Sequence, residues 1–194
     1  VNYSVPTSVV LSGNVFNDVN GSQVKDGSES STTLPAGLQA VIVDANGVTV
    51  ATVPVDANGN YSSPVPANGT YTVTVTPPAG WLATGENLAG LPDGTPNSQQ
   101  TVVVGSVDRP DVNFGMEQPP IAGQAQYPSQ TNPGGTLTVP VDSGAFVGTL
   151  PSGVTGTNAS DPAPGAVTGI TIPRFPSNTT SITINGVSYT AATF

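Results

Sequence analysis

Residues 70–76 read Thr-Tyr-Thr-Val-Thr-Val-Thr, so that in an extended chain Tyr71, Val73 and Val75 share one face and the threonines share the other. No helix can place that pattern on a single face, because its side chains recur every 3.6 residues. The segment therefore predicts a half-buried β-strand, launched from the turn pair Asn68-Gly69. The same punctuation recurs along the chain. Apolar runs at 38–44 and 48–54 flank Ala45-Asn46-Gly47, where Asn-Gly supplies the positive φ angles of a tight hairpin. Asp56-Ala57-Asn58-Gly59-Asn60-Tyr61 repeats that turn chemistry, and Asn185-Gly186 predicts another two-residue hairpin.

No segment carries a convincing helical period. The 23 glycines and 20 prolines lie between short apolar runs, which argues for an all-β chain of short strands and tight turns instead of a disordered tract. Strands are expected at 11–17, 101–105 and 110–116, with a polar excursion after the Pro77-Pro78-Ala79-Gly80-Trp81 corner. Glu117-Gln118-Pro119-Pro120 reads as a stiff connector. The expected organisation is two tandem β-sandwich modules, 11–117 and a smaller one at 118–194. Strands of the second are expected at 135–141, 145–150, 166–173, 181–185 and 187–191. Residues 1–10 are apolar but interrupted by Pro6, an extended segment that reads as an edge strand or a donor strand for another subunit.

The residues that are missing narrow the chemistry. With no His and no Cys, nucleophile–imidazole pairs, common zinc sites and disulfides are all excluded. Only Lys25, Arg109 and Arg174 oppose 12 acidic residues, and the net charge of −9 disfavours nucleic acid and anionic membrane surfaces while favouring divalent cations. No apolar stretch is long enough to cross a bilayer, and the chain reads as a mature extracellular segment. Val141-Asp142-Ser143-Gly144-Ala145 is similar to an aspartic-protease turn, and Asp108 with Asp111 could pair as glycosidase carboxylates. In a sequence this rich in Asp, Ser and Gly, both read better as polar turns, and the chain is expected to be non-catalytic.

The most specific chemistry lies in residues 18–29. Oxygen side chains of Asp18, Asn20, Ser22, Asp26 and Glu29 stand at loop positions 1, 3, 5, 9 and 12, with the Val24 carbonyl at position 7. This is the EF-hand spacing for Ca2+, a hard cation that takes six to eight oxygens. Gln23 stands where such loops carry glycine.

Four separated motifs occur in order around this loop: Ser12-Gly13-Asn14-Val15-Phe16-Asn17-Asp18, Asp56-Ala57-Asn58-Gly59-Asn60-Tyr61, residues 69–75, and Val112-Asn113-Phe114-Gly115. Together they resemble the SdrD B-like repeats of bacterial serine-aspartate-repeat surface proteins, over about residues 8–117. The resemblance implies a Cna-B-like, transthyretin-like sandwich stiffened by calcium in an adhesin stalk or filament. It implies no Lys–Asn isopeptide bond, because the first strand holds no lysine. Residues 118–194 look more weakly like repeats of large Bacteroidota adhesins. The expected partners are other copies of the chain or neighbouring modules. The alternative is a carbohydrate-binding module stacking sugars on Trp81 and Tyr127.

Overall fold

The computed structural model describes residues 7–27, 29–128, 138, 143–146, 148–162, 166–167, 169, 174–177 and 179–194. The chain divides into two compact units, one running up to Pro119 and the other comprising Pro120–Asp161 and Ala166–Phe194. Among the described residues the only helical element is a 3-10 turn at Ser143–Ala145; all other regular structure is β.

The first unit is built from two sheets. One contains β1 (Ser8–Asn17), β4 (Asn60–Pro66), β6 (Leu82–Leu88), β7 (Leu91–Pro92) and β9 (Val112–Glu117), in the order β4-β1-β9-β6-β7. The other contains β2 (Gln39–Asp44), β3 (Thr49–Pro54), β5 (Thr70–Val75) and β8 (Gln99–Val103), in the order β3-β2-β5-β8. Period-two alternation sends one side of each strand inward. Val9, Leu11 and Val15 of β1 join Val112, Phe114 and Met116 of β9 in one apolar cluster with Ile42, Tyr71, Val73 and Val102 of the other sheet. Tyr61 is buried in that cluster and stays paired, its hydroxyl donating to Val112 O at 2.6 Å. This is the expected β-sandwich.

β1 changes partner along its length. Its first half is antiparallel to β4, pairing Ser8 with Pro66 and Asn14 with Asn60, and its last residues are parallel to β9, pairing Val15 with Phe114. Ser8–Val10, expected in the separate segment 1–10, thus belong to a strand between two neighbours: Val9 pairs with Val65, while Val10 O accepts from Arg109 N at 2.7 Å. Residues 1–6 lie outside the described residues.

Three strands of this unit were not legible, one of them the two-residue β7 within the expected polar excursion. β4 carries Pro64 and Pro66, and β6 reads Leu-Ala-Thr-Gly-Glu-Asn-Leu, too polar to suggest a sheet interior. The hairpin at 44–48 also differs from the two-residue turn expected. Gly47 alone has positive φ, at 78°; Asp44 N donates to Val48 O, and Asp44 Oδ1 accepts from Asn46 N and Val48 N, each at 2.9 Å. Asp56–Asn60 builds the same loop, with Gly59 at 79° and Asp56 Oδ1 accepting from Asn58 N and Asn60 N. One aspartate closes each loop from within, so Asn need not enter the left-handed region.

In the second unit β10 (Gln124–Gln126) pairs with β11 (Thr155–Thr157), and β12 (Ile182–Ile184) with β13 (Val187–Tyr189). The last two meet at the expected Asn185-Gly186 turn, where both residues have positive φ, 50° and 81°. Part of the expected strand at 145–150 is instead the Ser143–Ala145 turn. Most of the strands expected at 135–141 and 166–173, together with Asp142, lie outside the described residues. Phe175 and Phe194 meet edge to face at 5.5 Å.

Candidate metal centre

The loop that leaves β1 at Asn17 lies over the outer face of the five-stranded sheet. Phe16 points to that face: it is fully buried, yet it is absent from the apolar cluster between the sheets. Beneath the loop, Gly85 of β6 pairs across the strands with Gly115 of β9. A Cβ on Gly85 would stand 2.5 Å from the Gln23 side chain, and one on Gly115 would stand 2.5 Å from Thr84 Oγ1 and 3.0 Å from Asp18 Oδ2. The two glycines leave the floor bare, and the loop rests on it.

Asp18 is the buried anchor, with no exposed surface. Its Oδ1 accepts from Ser22 N at 3.0 Å, and its Oδ2 accepts from Gln23 N at 2.9 Å and Thr84 Oγ1 at 2.6 Å. Gln23 takes the conformation usually reserved for glycine, φ 65°. The sharp turn that an EF-hand makes at position 6 is therefore present with a side chain on it.

Glu29 arrives from the other end of the loop and is 7% exposed. Its Oε2 accepts from Asp26 N at 3.1 Å, its carboxyl lies within hydrogen-bonding reach of Asp18, and its Oε1 is buried without a hydrogen-bond partner. Burial first, and then the neighbouring Asp18 and Asp26 charges, push the Glu29 carboxyl above its ordinary value, against the pull of the Asp26 N–H. Two acceptors in contact need a proton or a cation between them.

The remaining expected ligands are satisfied among themselves. Asn20 Nδ2 donates to Asp26 Oδ2 at 2.8 Å, Asn20 Oδ1 accepts from Ser22 N at 2.8 Å, and Ser22 Oγ donates to Val24 O at 2.9 Å. The structure thus brings loop positions 1 and 12 together and joins 3, 5, 7 and 9 to one another, the two groups being linked through Ser22 N on Asp18 and Asp26 N on Glu29. Among the described residues no group of three or more carboxylate, imidazole or thiol side chains is arranged to hold a metal ion. A cation here would need the amide, hydroxyl and carbonyl oxygens as well. The oxygen chemistry and the orphaned Glu29 Oε1 fit a hard cation.

Sequence reasoning missed Thr84, Gly85, Asn87 and Gly115. The only available signal was Gly115 inside a strand-like segment, a placement that often marks close approach of another chain segment. Elsewhere, Trp81 is half-buried against the sandwich core, and Asp108 Oδ1 is used in accepting from Val10 N at 2.8 Å. Tyr127 lines a groove in the second unit with Ala145, Phe146 and Ala159. Lys25 does not pair with the acidic loop residues around it in sequence; its Nζ donates to Asn14 Oδ1 at 3.0 Å and to Ser31 Oγ at 3.2 Å.

No family model matches the chain. It is 37% identical over 101 residues to Colossin-A of Dictyostelium discoideum, covering 44% of this chain and 1% of that protein. It is also 28% identical over 107 residues to serine-aspartate repeat-containing protein F of Staphylococcus epidermidis, covering 54% of this chain and 6% of that protein. The chain spans a small fraction of the length of either relative. No helix among the described residues is long and apolar enough to cross a membrane.

Proposed function

We propose that the chain is a non-catalytic structural segment of an extracellular bacterial surface adhesin or filament, and that its first unit is an SdrD B-like module rigidified by Ca2+. One observation carries the metal reading: the buried Glu29 carboxyl stands near the buried Asp18 carboxyl, and its Oε1 has no donor. Asp18, Asn20, Ser22, Asp26 and Glu29, with the Val24 carbonyl, are the residues that would hold the ion. When bound it supplies positive charge where two carboxylates face each other. The distant likeness to a serine-aspartate repeat-containing protein supports the surface assignment. Half-burial of Trp81 against the core weighs against the sugar-binding alternative.

Calorimetric titration with calcium, on wild type and Asp18→Asn, tests the reading. Wild type should bind and its thermal unfolding midpoint should rise with calcium; the variant should do neither. Wild type that neither binds nor shifts would refute it.

Assembly by β-strand addition between copies of the chain is a second part of the proposal. It is favoured by β8, the last strand of its sheet among the described residues, which holds no proline and no charge and leaves Val103 73% exposed. Because Ser8–Val10 already pair with β4, any donated segment must come from elsewhere or displace that pairing. Electron microscopy of wild type and of Thr101→Pro, with and without chelator, checks this. Filaments from wild type alone are expected; equal assembly by both would remove β8 as the acceptor.

A further inference from the structure

A row of asparagines crosses the outer face of the five-stranded sheet, one from each of four adjacent strands. Asn60 of β4 accepts from Asn14 Nδ2 of β1 at 2.8 Å. Asn14 N donates to Asn113 Oδ1 of β9 at 2.9 Å, and Asn113 Nδ2 donates to Asn87 Oδ1 of β6 at 3.2 Å. The row then leaves the sheet: Asn87 Nδ2 donates to Gln23 O at 2.6 Å. It also meets the loop a second time, where Asn14 Oδ1 accepts from Lys25 Nζ.

Gln23 is the residue that needs such support. A side-chain-bearing residue at φ near +60° is strained and persists only where its surroundings fix it. Both ends of Gln23 are fixed here, its N–H on Asp18 Oδ2 and its carbonyl on Asn87 Nδ2. Asn87 is 1% exposed, and its amide cannot flip, because Oδ1 accepts from both Gly90 N and Asn113 Nδ2.

We infer that Asn87, held in orientation by Asn113, is the positioning residue of the cation loop. It keeps Gln23 in the left-handed conformation, so that the Ser22 and Gln23 N–H groups hold the Asp18 carboxylate facing Glu29 before any ion arrives. The inference deepens the calcium reading and rests on it for its consequence in affinity, but its conformational content stands on the protein alone.

The test uses the full chain and four proteins: wild type, Asn87→Ala, Gln23→Gly, and the double variant. In chelator, hydrogen exchange at the Ser22 and Gln23 amides should quicken at least tenfold in Asn87→Ala. In titrations with calcium alone, that variant should bind about tenfold more weakly, the scale of lost outer-sphere support. Glycine adopts positive φ without restraint, so in the Gln23→Gly background the same Asn87→Ala change should cost less than threefold in affinity. An equal loss in both backgrounds would mean that Asn87 merely supports the fold, and would overturn the inference, as would unchanged exchange in chelator. If wild type binds no calcium, the metal reading fails, and the exchange experiment alone still decides the role of Asn87.

Discussion

Gly85 and Gly115 face each other across β6 and β9, and the space their missing side chains leave is filled by Gln23, Thr84 and Asp18. A strand pair that would ordinarily display side chains to solvent is instead a seat for the loop. Gly115→Ala should therefore press on Thr84 Oγ1 and Asp18 together. The expected cost is about 1–3 kcal/mol in chemical denaturation, the range for overpacking a closed site, with weaker calcium binding. Gly27→Ala is the matched control from the same loop: nothing lies within 4 Å of its added methyl, so it should be close to neutral.

Acidity should act on the loop in a specific direction. Burial and the Asp18 and Asp26 charges raise the Glu29 carboxyl above its ordinary value of 4.5, and burial likewise raises Glu86. A raised carboxyl contributes its stability fully below the unfolded value, and the contribution is lost as pH rises through the folded value. In chelator, the midpoint of thermal unfolding should thus climb as pH is brought from about 7 down to about 5. Calcium should reduce that climb, and Glu29→Gln should remove the Glu29 share of it from the chelated profile, leaving the share due to Glu86.

At lower pH the opposite sign takes over. N–H donors hold Asp44 and Asp56 below their ordinary value of 3.8, first Val48 N for Asp44 and Asn60 N for Asp56. Their contribution is present above 3.8 and drains away as pH falls through the folded values. Asp44→Asn with Asp56→Asn should reduce the stability difference between about pH 5 and about pH 2. Urea midpoints at the two pH values measure it.

Glu86 is fully buried and accepts from Ser98 N and, at 3.4 Å, from Asn97 N, tying the turn before β8 to β6 of the other sheet. Glu86→Ala would leave Ser98 N without its acceptor at a cost of about 1–3 kcal/mol, while Asn97 N keeps Thr95 O at 2.8 Å. Glu86→Gln, which keeps one acceptor oxygen, should recover a good part of that loss in denaturant titration.

Residues whose side chains alternate in the ordinary way were legible: β2, β3, β5 and β9 lie within two residues of their expected bounds. β6 was not, because its polar residues are buried by a loop that precedes it by more than 50 positions, with Asn87 under Gln23 and Thr84 under Asp18. Local periodicity reports what a strand shows to a sheet core and is silent about a loop laid over its back. The same limit separates the two parts of the site. Spacing alone named Asp18 and Glu29, whereas their seat on Gly85 and Gly115 required the cross-strand register.

β1 begins at Ser8 and β9 ends at Glu117, and the two run parallel, with Asn17 beside Met116. A tether pulling on both connections draws these neighbours along their length in opposite directions. Their mutual bonds, from Ser12 N on Arg109 O to Asp18 N on Met116 O, are then loaded side by side instead of parting one after another. The site lies at the far end of that clamp, so whatever tightens Asp18 also fastens its last rung against traction.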